Sequence, residues 1–195
     1  FGRGSVNFRL FRDFLVAVGD AGVHTVSFDR KAPGDSALLS SVGLAEVRAV
    51  AVSRHRTQGH AEFVFAATAA GELVVTDLRS PGFPRVAARM ERACASPERL
   101  TLADDLLLIS DGTAGLRAVD VTDPTRPKSR FHLPDVPAFD VAVDGPHLFV
   151  AAGARGLAVV DRTDRTSPRV VLPSSELDDR KTPPASGLRV ETLFQ

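Results

Sequence analysis

The hydrophobic positions of this chain fall into short runs that come in pairs, and the pairs recur. Each pair is an apolar run, a turn holding a glycine, and a second apolar run that closes on aspartate. The four copies span Phe14 to Asp29, Phe63 to Asp77, Leu106 to Asp120 and Leu148 to Asp161. Their turn glycines, Gly22, Gly71, Gly115 and Gly156, stand 49, 44 and 41 residues apart. Runs of this length, rich in Val, Leu, Ile and Phe and bounded by turn residues, read as β-strands. A strand repeat with a period in the forties predicts a β-propeller blade array.

Each cycle holds more than its hairpin. A strand-like segment precedes it at Val6 to Leu10, Val47 to Val52, Arg99 to Ala103 and Phe139 to Val143, and another follows at Ala37 to Leu39, Arg85 to Arg89, Ser129 to Leu133 and Arg169 to Leu172. The expectation is an all-β chain of about four blades, each of four antiparallel strands. The first run of every hairpin is almost wholly apolar, which predicts strands buried on both faces. The last strand alternates more, with Arg85 and Arg89, and suits the outer edge of a blade.

The turns carry their own chemistry. Asp111-Gly-Thr-Ala-Gly115 and Gly153-Ala-Arg-Gly156 supply residues that accept positive φ in tight hairpins. Pro-punctuated turns follow the second hairpin strand at Thr122 to Pro127, Asp164 to Pro168 and, more loosely, Ser80 to Pro84. Asp29, Asp77, Asp120 and Asp161 recur once per cycle at one position. A single active site needs different residues from different blades, so these read as caps on backbone N–H groups at a strand end. Calcium binding through Asp20 and Asp111 is the alternative, but no EF-type loop accompanies them.

Two stretches break the rhythm. Ser53 to His60 is a polar insertion, and inserted loops on a rigid scaffold carry binding. Arg54, His55, Arg56 and His60 are therefore the candidate partner-binding residues. Ser174 to Ser186 lacks an apolar period and reads as an exposed tail or linker. The blades thus occupy 1–173 and the polar linker 174–187. Residues 188–195, ending Glu191-Thr-Leu-Phe-Gln195, resemble the cleavage site of a picornaviral 3C protease and read as a tag-removal scar.

The third and fourth copies carry a resemblance. Ala114-Gly-Leu-Arg-Ala-Val-Asp-Val-Thr-Asp-Pro124 and the stretch from Phe139-Asp-Val-Ala-Val143 to Gly156-Leu-Ala-Val-Val-Asp161 resemble LVIVD repeats, whose pattern runs "DVAVxG", "YVAD", "GLxVIDVSDP". The likeness spans about Val6 to Leu172. The first copy keeps its strand and Asp29 but lacks the Asp-Pro turn, and the family tyrosine is replaced by Phe149 or Leu107. The resemblance implies a propeller in a bacterial extracytoplasmic or surface protein and no shared catalytic residues. It also implies rings of six to eight blades. Four are then part of a larger propeller, completed by blades on another chain or in a longer form of this protein, with a compact four-bladed ring as the alternative. The start Phe1-Gly-Arg-Gly-Ser5, without Met, agrees with a longer protein.

Composition narrows the partners. Lys+Arg and Asp+Glu balance at 24 each, which argues against a nucleic-acid surface. No apolar stretch reaches the length of a membrane-spanning helix. Cys94 is the only cysteine, so no intrachain disulfide forms, and Trp and Tyr are absent. No cofactor or metal site is expected: His55 and His60 lack the further ligands of a zinc site, and His24 and His132 fall in strands. Gly34-Asp-Ser36-Ala-Leu38 resembles a hydrolase block, but that block needs a strand-to-helix turn. The functional expectation is a non-enzymatic binding or assembly module whose partner is a protein or the remaining blades. The alternative is a hydrolase or lyase with its site at the propeller's central channel.

Overall fold

The computed structural model describes residues 7–11, 14–19, 21–27, 31–54, 61–164 and 166–172. Sixteen strands among them form four antiparallel sheets, each a meander of four strands consecutive in the chain. Blade 1 is β1 (Asn7–Phe11), β2 (Phe14–Gly19), β3 (Gly22–Ser27) and β4 (Leu38–Gly43). Blade 2 is β5 (Val47–Arg54), β6 (Ala61–Thr68), β7 (Leu73–Asp77) and β8 (Arg85–Met90). Blade 3 is β9 (Arg99–Ala103), β10 (Leu106–Ser110), β11 (Leu116–Asp120) and β12 (Lys128–Leu133). Blade 4 is β13 (Asp140–Asp144), β14 (His147–Ala151), β15 (Leu157–Asp161) and β16 (Arg169–Leu172). No helix of the described residues is long and apolar enough to cross a membrane.

The four sheets share one register. In every blade the third strand loses step with the fourth at the same place: Thr25/Val26, Val75/Thr76, Ala118/Val119 and Val159/Val160. A bulge there adds local twist and bends the outer strand. Equivalent positions can therefore be read across blades by their pairing. The row Thr101–Leu108–Ala118–Phe131 of blade 3 becomes Ala142–Phe149–Val159–Leu172 in blade 4.

The chain divides into two compact units, the first holding blades 1 and 2, the second blades 3 and 4, with Asp123–Pro127 grouped with the first. In the first, Val16, Val18 and Val23 of blade 1 share a core with Val64, Ala66 and Val74 of blade 2. In the second, Leu108, Ala118 and Phe131 of blade 3 share a core with Leu148, Val150 and Val160 of blade 4. Burying such a Leu or Val side chain contributes about 1.5–3 kcal/mol, so blade-on-blade packing is the main cohesive term of each unit.

Two expectations need correction. β6 from Phe63 onward and β10 are buried throughout, but β2 and β14 alternate. Val16 and Val18 are buried while Leu15 and Ala17 are half-buried, and Leu148 and Val150 are buried while Phe149 is half-buried. The half-buried side chains of β2 and β14 lie outside the core that each blade shares within its unit. The polar insertion is also shorter than its composition suggested, because Ser53 and Arg54 belong to β5. The Ser53 hydroxyl accepts the Phe63 N–H at 3.0 Å where the β5–β6 register slips, so a polar residue completes the ladder there.

Candidate functional site

The once-per-blade aspartates share a local geometry. Asp120 Oδ1 accepts the Thr122 N–H at 3.0 Å and its hydroxyl at 2.7 Å, and Asp161 Oδ1 accepts the same pair from Thr163 at 2.7 and 2.6 Å. Asp123 and Asp164 repeat the motif on Thr125 and Thr166. These are Asx turns, in which a short carboxylate replaces a backbone carbonyl and redirects the chain. The bonds to threonine hold the Asp120, Asp161 and Asp164 carboxyls below their usual range. Across the ladder Asp77, Asp120 and Asp161 stand opposite Arg85, Lys128 and Arg169, an opposite-charge pairing that supports the sheet. Asp29 lies outside the described residues.

Blade 2 varies the theme. Asp77 is buried and accepts the Arg79 backbone N–H at 3.0 Å, while the Arg79 guanidinium grips both its oxygens at 3.0 and 2.8 Å. Arg85 adds a longer contact at 3.3 Å. The Arg79 side chain, above all, brings the Asp77 carboxyl down to about 2, against desolvation that raises it. These residues line an open cavity of about 470 Å³ with Ser80 and Phe83. Phe83 is 85% exposed, the most exposed large apolar side chain described.

The four turn glycines all have positive φ: 124° at Gly22, 80° at Gly71, 103° at Gly115 and 80° at Gly156. At Gly115 a Cβ would stand 2.2 Å from the Leu133 carbonyl oxygen, and at Gly22 2.0 Å from that of Val42. The fourth strand passes so close to the hairpin turn that only glycine fits.

Of the candidate partner-binding residues, Arg54 is the last residue of β5, and His55, Arg56 and His60 lie outside the described residues, as does Asp20. Asp111 is fully buried and accepts the N–H groups of Ala95 and Ser96 at 2.8 and 2.6 Å and Arg117 Nε at 2.7 Å. Its oxygens thus staple the entry into blade 3. Cys94 is buried nearby. Desolvation and the Asp111 charge push its thiol up to about 12, so it is no nucleophile at neutral pH. His132 Nε2 lies 2.8 Å from the Ala114 carbonyl oxygen. Among the described residues no group of three or more His, Cys, Asp or Glu is placed to hold a metal.

The least expected surfaces are two blade faces. On blade 4, Ala142, Phe149 and Val159 form a half-buried apolar row outside the core that blade 4 shares with blade 3. Their blade 3 equivalents Leu108 and Ala118 are buried in that core. On blade 1, Val26 pairs with Leu15 on one side and on the other with Leu38, which is 64% exposed. Their blade 4 equivalents, Leu148 and Val160, are buried against blade 3. Blades 1 and 4 therefore each present the kind of face that elsewhere in this chain receives another blade.

Residues 137–173, which contain all of blade 4, match the LVIVD repeat family. No curated protein matches the chain. A candidate 6-phosphogluconolactonase from Bacteroides uniformis ATCC 8492 superposes with a TM-score of 0.68 at 14% identity, over 86% of this chain and 54% of that one. A protein from Lactobacillus plantarum gives 0.64 at 17% identity, over 84% and 53%. The computationally designed protein Ika8 gives 0.63 at 13% identity, over 86% and 48%. At these identities the likeness bears on the fold alone, which is that of β-propeller blades. The chain spans about half the length of each of these structures.

Proposed function

We propose that this chain is a non-enzymatic assembly module, part of a bacterial extracytoplasmic or surface protein, that works by joining further propeller blades to the open faces of blades 1 and 4. The observation that carries the reading is the pair of apolar rows on blades 1 and 4. Each is the register equivalent of a row that packs against a neighbouring blade within this chain. An exposed apolar sheet face of this kind calls for a covering partner. The chemistry of that partner is another blade, because the complementary surface is already known here: Leu108 and Ala118 against Leu148 and Val160. A second copy of the chain brings both surfaces. It also supports the half-length match, since two copies hold about as many residues as one of the similar propellers. The compartment is what the resemblance to LVIVD repeats implies.

In this reading blade 4 of one copy seats on blade 1 of the other, a contact between two different surfaces. Sedimentation velocity over a wide concentration range tests it. The wild type self-associates, and Phe149→Asp and Leu15→Asp each abolish association alone. A mixture of the two variants recovers one contact, because each retains the face that the other has lost. A strictly monomeric wild type overturns the proposal. Fractionation of cells expressing the full natural protein checks the compartment, and recovery in the cytosol contradicts it.

A further inference from the structure

The residue that follows the third-strand aspartate keeps one backbone role in three blades. Its N–H donates to a carbonyl at the mouth of the first hairpin: Leu78 to Glu62 at 2.7 Å, Val121 to Asp105 at 2.8 Å and Arg162 to Pro146 at 2.7 Å. The side chain is buried each time, at 0%, 5% and 7% exposure. Blades 2 and 3 thus place an aliphatic side chain where blade 4 places a guanidinium. A buried cation in an aliphatic slot is costly unless its donors and its charge are met.

In the chain as it stands they are met in part. Arg162 Nη2 donates to the Gly145 carbonyl at 2.9 Å. Arg162 Nε is buried and has no hydrogen-bond partner. None of the ion pairs among the described residues includes Arg162. The same side chain lines a cavity of about 450 Å³ between the first strands of blades 3 and 4, together with Thr101, Asp104, Val143 and Gly145. That volume is in the range of small-molecule sites, which combine apolar walls with a few placed polar groups.

We propose that this cavity binds a small oxyanion, the phosphate or carboxylate group of a metabolite-sized ligand, with Arg162 as the group that recognises its charge. With Nε buried and Nη2 bonded to the Gly145 carbonyl, the remaining Nη hydrogens and the cation's charge are what a ligand would meet, and they suit either anion. Asp104, exposed at the rim, limits how much negative charge the site takes and suits a ligand that also carries hydroxyl donors. Nothing in this proposal depends on self-association of the chain.

The repeat supplies the test variant. Arg162→Leu installs the blade 2 side chain at the equivalent position and keeps the backbone bond to Pro146. Wild type and variant are melted with inorganic phosphate and, separately, with acetate, against sodium chloride at matched ionic strength. The wild type gains several degrees, saturably, with at least one of the two anions, and Arg162→Leu gains none. The anion that acts distinguishes a phosphate from a carboxylate ligand. Equal shifts in both proteins overturn the proposal, as does a wild type that responds to neither anion. Titration of the wild type with phosphate, read by phosphorus NMR line broadening, gives a second readout. If Arg162→Leu does not fold, Arg162→Gln, which removes the charge and keeps a polar chain, carries the same comparison.

Discussion

At the scale of single residues, the repeat spends its special side chains on turning the chain. Asp77 shows it most sharply, because its carboxyl is pulled down to about 2 in the folded protein while an unfolded aspartate titrates near 3.8. The folded state therefore gains its full benefit from Asp77 above about pH 4 and loses it progressively as the pH falls toward 2. The shift corresponds to about 2 kcal/mol, so Asp77→Asn lowers stability near neutral pH by roughly that amount and flattens the acid limb of a denaturation series. Gly115→Ala meets both positive φ and the Leu133 carbonyl. It costs about 2–3 kcal/mol in urea melts. Cys94, with its thiol near 12 and buried, stays unmodified by a disulfide reagent until the protein unfolds. The glycine and aspartate positions were legible in the sequence because each recurs once per cycle beside the same neighbours. Arg162 is visible only when the copies are aligned by register, because as one arginine among many it carries no motif.

At the scale of the element, the four-strand meander followed from periodicity with ends displaced by a residue or two. The ends moved where polarity and pairing disagree. Ser53 looked like loop because it is polar, yet its hydroxyl stands in for a ladder bond to Phe63 and the strand runs on to Arg54. The C-terminal half of the Asp–Thr turns was less visible, since Asp–x–Thr is a weak pattern until geometry shows both Thr donors on one oxygen. Asp161→Ala removes both bonds at once. It lowers stability modestly, and the Thr163 amide loses protection in hydrogen exchange ahead of the strand amides of β15. What the apolar runs did not reveal was which strands are covered on one face only. Phe149 and Leu108 occupy equivalent places and read alike, and only the position of a blade within its unit separates them.

At the scale of the whole molecule, the sequence-level expectation of blades agrees with the solved propellers, and the chain spans about half the length of each. The proposed seating makes a demand: association must be insensitive to salt, because the rows Leu15–Val26 and Phe149–Val159 carry no charge. Sedimentation at low and high ionic strength gives similar dimer fractions if the faces are the contact, and a collapse of association at high salt would point instead to charged loops.

The outer strands bear on which surfaces the proposed association can use. An unpaired strand edge is a template for indiscriminate sideways pairing. Here each outer strand is offset from its neighbour by a bulge at the same place. Three of the four also carry cations, Arg85 and Arg89 in β8, Lys128 and Arg130 in β12, and Arg169 in β16. Charged side chains on an outer strand keep that edge solvated and so blunt sideways pairing. Sideways pairing is thus discouraged while the apolar faces of blades 1 and 4 remain open, so the proposed association runs through blade faces and not through strand edges.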